Sequence, residues 1–156
     1  MSSIQMSDVT AQLLAALKEG FDGRATFGYF TDSGPGVGLV ATVGALSAAQ
    51  VFLESGGTSI AAHVQHIVYS CDAAADWISG VRKSHDWGKT WSVKTVDHAT
   101  WKALRMKLPE RHARLRQAIE THAGDSVESM GGGAIGAVAH LAHHLAAIRQ
   151  KVRLQA

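Results

Sequence analysis

Thr58-Ser59-Ile60-Ala61-Ala62-His63-Val64-Gln65-His66-Ile67-Val68-Tyr69-Ser70-Cys71-Asp72-Ala73-Ala74-Ala75-Asp76-Trp77-Ile78-Ser79-Gly80 reads as one long helix. Ile60, Val64, Ile67, Cys71, Ala74 and Ile78 recur at alternating spacings of four and three, the seam of a helix bundle. Thr58 or Ser59 offers the hydroxyl that caps its start, and Gly80 can close its end.

Towards the N-terminus, Val9, Leu13, Leu14 and Leu17 have helical spacing, with Ser7 as the predicted N-cap and Gly20 as the predicted C-cap. Residues 21–42 are rich in glycine and predict a long ordered loop, with short extended pieces around Phe27–Phe30 and Val37–Val43. A short helix around Ser47–Glu54 follows, ended by Gly56-Gly57. Beyond Gly80, the segment 81–96 holds Asp86-Trp87-Gly88 and Trp91 and reads as a connection. Asp97 then caps a third long helix carrying Trp101, Leu104, Leu108, Leu115 and Ile119 and ending near Gly124, with Pro109 expected to kink or split it. A fourth starts in Gly131-Gly132-Gly133 and runs to about Arg153, with Val138, Leu141, Leu145, Ile148 and Val152 as its stripe. Four helical runs without a multi-strand pattern predict an all-α fold, a four-helix bundle with long first connections, as one domain over residues 1–156.

Composition narrows the function. Hydrophobic residues make up 46% of the 156, which suits a packed core rather than a disordered chain. A net charge of +2 points to no particular partner. The basic run Lys102, Arg105, Lys107, Arg111, Arg114 and Arg116 is diluted by Glu110 and Glu120 and lacks interleaved aromatics, so it reads as a solvated face and not as a nucleic-acid site. There is no apolar run of membrane-spanning length, no basic and apolar leader at Met1–Asp8, and a single cysteine, Cys71, so a cytoplasmic protein is expected. Cys71 falls on a helix seam and reads as a packed residue rather than a nucleophile. Gly131–Gly136 fits G-x-G-x-x-G in letters, but no strand precedes it, and Gly34–Gly38 reads as a turn.

The nine histidines are the compositional oddity. At about 100° per residue, His140 and His144 stand about 40° apart on one edge of the last helix, where both can reach one metal ion. His143 falls on the opposite, solvent side. On the second long helix His63 sits beside the seam and His66 further round the same edge, and either can supply a third imidazole. The residue after His140 is Leu141, so the glutamate of an H-E-x-x-H zinc protease is missing.

Thr58–Ile67 resembles the "SIAxHxxHL" stretch of the DinB/YfiT-like superfamily, and Ala139–Gln150 is similar to that family's "HxxYHLGAIRQ" end. Asp86-Trp87, Trp91, Trp101 and Leu104 resemble its "DW…SW…W..L" spacing, and Phe30-Thr31-Asp32 with Gly38–Thr42 its long first loop. The resemblance implies a four-helix bundle with a divalent metal near one end, held by one histidine of the second long helix and two of the last. By position these are His66, His140 and His144, with His63 as a neighbour that orients a ligand or moves a proton. His143 stands where a tyrosine is common and Ala146 where a glycine is common, which bears on the shape of the pocket.

Three neutral imidazoles leave a coordination position open, unlike a closed structural zinc site. Zinc, nickel, iron or copper all suit nitrogen ligands, with zinc, nickel or iron as the expected ion. The open position suits either water or a thiol. The resemblance implies transferases and isomerases that use low-molecular-weight thiols; a metal-dependent transferase or hydrolase is expected, with addition of such a thiol to a small electrophile as the leading expectation. The alternative is a non-catalytic bundle whose metal only stabilises the fold. Trp87 and Trp91 are candidate pocket walls, and Asp32 and Asp86 are read first as solvated loop residues. A homodimer is expected, with Ala45, Ala48 and Ala49 as interface candidates.

Overall fold

The computed structural model describes residues 5–155, apart from 25, 33, 35, 53–56 and 94–96. Six α-helices follow one another: α1 (Met6–Asp22), α2 (Leu39–Gly44), α3 (Ala48–Phe52), α4 (Ile60–Ile78), α5 (His98–His122) and α6 (Gly136–Arg153). A 3-10 turn at Gly88–Trp91 interrupts the connection after α4, and a π-helical segment, Ser129–Ile135, leads into α6. There is no strand among the described residues.

The four long helices make the bundle. Helix α4 packs on α5 and α6, and α1 packs on the same two, so α1 and α4 stand at opposite corners. The long connection between them lets the chain cross that diagonal. Leu17 and Phe21 from α1, Ile60, Val64 and Ile67 from α4, Leu108 and Leu115 from α5, and Leu145 and Ile148 from α6 fill the core. Trp101 is also buried and donates its indole N–H to Leu46 O at 2.9 Å, which ties α5 to the connection between α2 and α3. No helix among the described residues is long and apolar enough to cross a membrane.

Several boundaries differ from the sequence reading, each for a packing reason. Helix α1 starts at Met6 with Gln5 as N-cap, two residues before the predicted Ser7. It also continues through Gly20 to Asp22 and stops at Gly23, whose φ is +85°. Gly20 is there for close approach: a Cβ at that position would lie 2.6 Å from Leu141 Cδ2 of α6. The extended piece expected around Val37–Val43 is the helix α2, because Leu39 and Val43 are then one turn apart and both reach the core. Phe27–Phe30 is irregular backbone rather than a strand. It is held by the buried Glu19 carboxylate, which accepts N–H bonds from Tyr29, Phe30 and Thr31 at 2.6, 2.9 and 2.6 Å and the Thr31 hydroxyl at 2.7 Å. Burial alone would raise the Glu19 pKa, but these hydrogen bonds outweigh it and hold the carboxyl below its ordinary value.

Pro109 does not split α5, which is continuous from His98 to His122. The proline sits on the exposed side, where the carbonyl that loses its donor can be hydrated, while Leu104, Leu108, Leu115 and Ile119 anchor both halves to the core. The expected short helix at Ser47–Glu54 is present as α3, with Glu54 and Gly56 outside the described residues. Pro35 and Met1–Ile4, used above in reading a turn and a leader, also lie outside them. Helical structure before α6 begins ahead of the expected glycines, in the π-helical segment. Its Gly133 must be small, since a Cβ there would come within 2.5 Å of Ile78 Cγ1.

Candidate metal centre

Ser59, not Thr58, caps α4: its hydroxyl accepts the Ala62 N–H at 3.1 Å. That fixes the helix phase, and both His63 and His66 then point into the bundle and are buried. From α6, His144 is buried and His140 half-buried, while His143 is exposed as the helical phase predicts. Nitrogens of His66, His140 and His144 all lie within 4.8 Å of one another, a group that could hold a metal ion.

The contacts between them are close. His66 Nε2 is 3.1 Å from His140 Nε2, and His144 Nε2 is 2.9 Å from the same atom. The far side of each outer ring is engaged. Thr90 Oγ1 donates to Trp87 O at 2.6 Å, so its lone pairs are left to accept the His66 Nδ1–H, also at 2.6 Å. That tautomer leaves the His66 Nε2 lone pair facing the centre. His144 Nδ1 is 2.9 Å from His63 Nδ1, and His63 Nε2 is 3.1 Å from Thr58 Oγ1. A neutral imidazole carries one N–H and one lone pair. With the His66 Nδ1 donating, a single N–H on His140 Nε2 can satisfy only one of its two close neighbours.

Electrostatics favour neutral rings. Burial, followed by the neighbouring His140, lowers the His66 pKa to about 4. Burial, then His140, His66, His63 and His143, lowers that of His144 to about 3. His63 is lowered to about 4 by burial and then by Lys151, His143 and His66. His140 is lowered as well, by burial and then by His143. At neutral pH all four are therefore unprotonated and able to offer lone pairs.

Aromatic rings close one side. Trp91 stacks on His66, with centroids 4.3 Å apart and planes 23° from parallel, and meets His63 edge-on at 5.3 Å. Trp87 lies 5.7 Å from His66 and lines an adjoining cavity. Other sequence candidates fall elsewhere. Asp32 is exposed and paired with Arg149, and Asp86 accepts the Lys89 N–H of the 3-10 turn. Cys71 is buried, and burial, then Asp72, pushes its thiol up to about 12. In the basic run, Arg111 and Arg114 pair with Asp72, and Arg114 also with Asp76. Ala45 and Ala49 are exposed and Ala48 packs against the core. Thr90 escaped the sequence reading; its only signal is a hydroxyl between two tryptophans of the Trp87–Trp91 segment.

An all-helical bundle with a cluster of inward-facing, neutral histidines defines the class. Residues 38–148 match the model of the DinB superfamily, and the chain belongs to that family. Comparison with curated proteins finds no match, and comparison with solved structures finds none.

Proposed function

We propose that His66, His140 and His144 hold one divalent metal ion, zinc, nickel or iron, and that the centre serves a thiol-dependent transferase. The observation that carries this reading is the convergence of three Nε2 atoms with more lone pairs than protons to share. A cation at their meeting point resolves that frustration, and zinc–nitrogen bonds of about 2.0–2.1 Å suit such a donor set. When bound, the ion would supply Lewis acidity at its open position, making a low-molecular-weight thiol more acidic.

The chain's own residues provide the rest. Thr90 holds His66 in the tautomer that presents Nε2. His63 does the same for His144, accepting its Nδ1–H and passing its own Nε2–H to Thr58. The stacked Trp91 keeps water from the His66 face. The reaction class is addition of the thiol to the electrophilic carbon of a polarised double bond or strained ring: the C–S bond forms as the π or ring bond at that carbon breaks, and the proton lost from sulfur goes to the atom that takes up the electron pair.

Elemental analysis of the purified chain tests the centre, beside a His140→Ala/His144→Ala double variant. About one metal per chain, lost in a still-helical variant, is the expected result. No metal after incubation with zinc and nickel sinks the reading. Thiol chemistry is tested on cobalt-loaded protein titrated with cysteine methyl ester, where a sulfur-to-cobalt absorption band is expected. A metal-loaded protein with no such band, whose melting collapses on chelation, would instead be a bundle in which the metal only ties α4 to α6.

A further inference from the structure

A cavity of about 530 Å³ opens beside the histidine cluster, between α4, α6 and the connection after α4. His140 stands in its wall, so the cavity and the candidate metal centre share a residue. Its volume falls in the range of about 300–1,000 Å³ typical of small-molecule sites. The lining is mostly apolar, with Ile67, Leu115 and Leu141 below and Trp77 and Trp87 at the rim. Lys83 also lines it, but its ammonium pairs with the buried Asp76 carboxylate. Ser70 spends its hydroxyl proton on Ile67 O at 3.0 Å. The imidazoles in the wall are those of His85 and His140, so among the described lining residues no carboxylate and no unpaired ammonium faces a guest. A charged guest would lose its hydration here without an ion partner from the chain, whereas a neutral apolar one would not.

Two glycines leave the space open. A Cβ at Gly136 would meet only Gly131 O, at 3.6 Å, and one at Gly132 only Trp77 Nε1, at 3.9 Å. Both residues line the cavity. Neither is required by packing, in contrast to Gly133 against Ile78. Glycine inside a helix carries an entropic cost, and π-helical segments are rare and frequent at functional sites, so the two glycines are not explained by helix stability.

We propose that this cavity binds a neutral, largely apolar small molecule and presents it on the His140 side of the centre, with Gly132 and Gly136 setting the size accepted. The chemistry done on that molecule rests on the metal reading above; the binding itself does not.

The test titrates zinc-incubated protein with N-phenyl-1-naphthylamine and with its anionic relative 1-anilinonaphthalene-8-sulfonate, following fluorescence. Saturable binding of the neutral probe is expected, at least about tenfold tighter than the sulfonate. Gly136→Leu should weaken the neutral probe by about tenfold or more, with helicity and zinc content unchanged. Gly136→Ala, which adds a single methyl, should give a smaller loss in the same direction and covers the case of a leucine variant that does not fold. Equal binding by the wild type and both variants overturns the proposal, as does preference for the sulfonate. A change of oligomeric state in Gly136→Leu, read by sedimentation, would also overturn it, because a second copy would then be the occupant. If zinc fails to bind but the probe responds to Gly136→Leu as described, the metal reading fails and the cavity assignment stands.

Discussion

The two halves of α4 bury polar groups in opposite ways. In the second half, Asp72 and Asp76 face Arg111, Arg114 and Lys83, and each carboxylate oxygen has a cationic partner from the chain itself. In the first half, His63 and His66 face His144 and His140 with no carboxylate among the contacts between their rings. The first arrangement is closed in charge, because each carboxylate meets cations of the protein itself. The second has acceptors in excess among its ring contacts, the feature on which the proposed metal centre rests. A buried polar cluster that satisfies itself is a structural device, whereas one that cannot is a candidate site.

The largest expected effect comes from breaking the open half. His140→Ala/His144→Ala removes two of the three convergent nitrogens, and bound metal should fall from about one per chain to none while circular dichroism stays helical. Retention of full metal content by that variant would place the ion elsewhere. Thr90→Val is the sharper cut, since it keeps every ligand and the residue's shape. It removes the acceptor for His66 Nδ1–H, so the ring is free to turn or change tautomer, along with the hydroxyl's own bond to Trp87 O. Zinc affinity, measured by competition with a chromophoric chelator, should drop by about 10–100-fold. An unchanged affinity would mean that Thr90 does not orient His66.

The closed half should respond in stability and not in metal content. Asp76→Asn leaves Arg114 and Lys83 without their shared anion. Both cations are half-exposed and can turn to water, so the loss should be about 1–2 kcal/mol rather than that of a fully buried pair. Thermal melting should show it as a fall of a few degrees. The pH dependence has a definite sign. Burial would raise the Asp76 pKa, but the hydrogen bonds and charges of Lys83 and Arg114 outweigh this and hold it below the ordinary 3.8. Its contribution is therefore fully present above that ordinary value and is lost as pH falls through the lower folded value. The gap between wild type and Asp76→Asn should hold from neutral pH down to the ordinary carboxylate range and close below it. A gap that instead widened in acid would show that the ion pair is not its source.

This contrast was unevenly legible in the sequence. The seam of α4 and the stripe of α6 follow from spacing alone, and His140 and His144 came with them because both lie on one helical edge. Choosing His66 over His63 needed the family resemblance, since helical phase brings both inside; their separate contacts, to His140 and Thr90 or to His144 and Thr58, depend on tertiary structure. Thr90 was invisible because a 3-10 turn in a connection has no periodicity to read. The π-helical segment was missed for a related reason: the close approach of Gly133 to Ile78 is a tertiary contact, while the letters show only a glycine run. Gly20 misled in the other direction. A glycine at the end of an apolar pattern signals a stop, yet here it marks the close approach of Leu141.

The smallest effect tests whether burial, and not charge, separates the two halves. Asp32 pairs with Arg149 at 2.5 Å and Arg153 at 3.5 Å, a geometry as favourable as that around Asp76. Its side chain is 65% exposed, against 5% for Asp76. Water competes for an exposed carboxylate in both the folded and the unfolded chain, and salt screens what remains. Asp32→Ala should therefore cost no more than about 0.5 kcal/mol, and less at high ionic strength. The loop that carries Asp32 does not depend on it, because the buried Glu19 carboxylate already holds Tyr29, Phe30 and Thr31. Denaturant unfolding of Asp32→Ala beside Asp76→Asn measures the comparison directly. Equal losses in the two variants would mean that the number of ion pairs, and not their desolvation, governs this fold, and the distinction between its closed and open polar clusters would lose its physical basis.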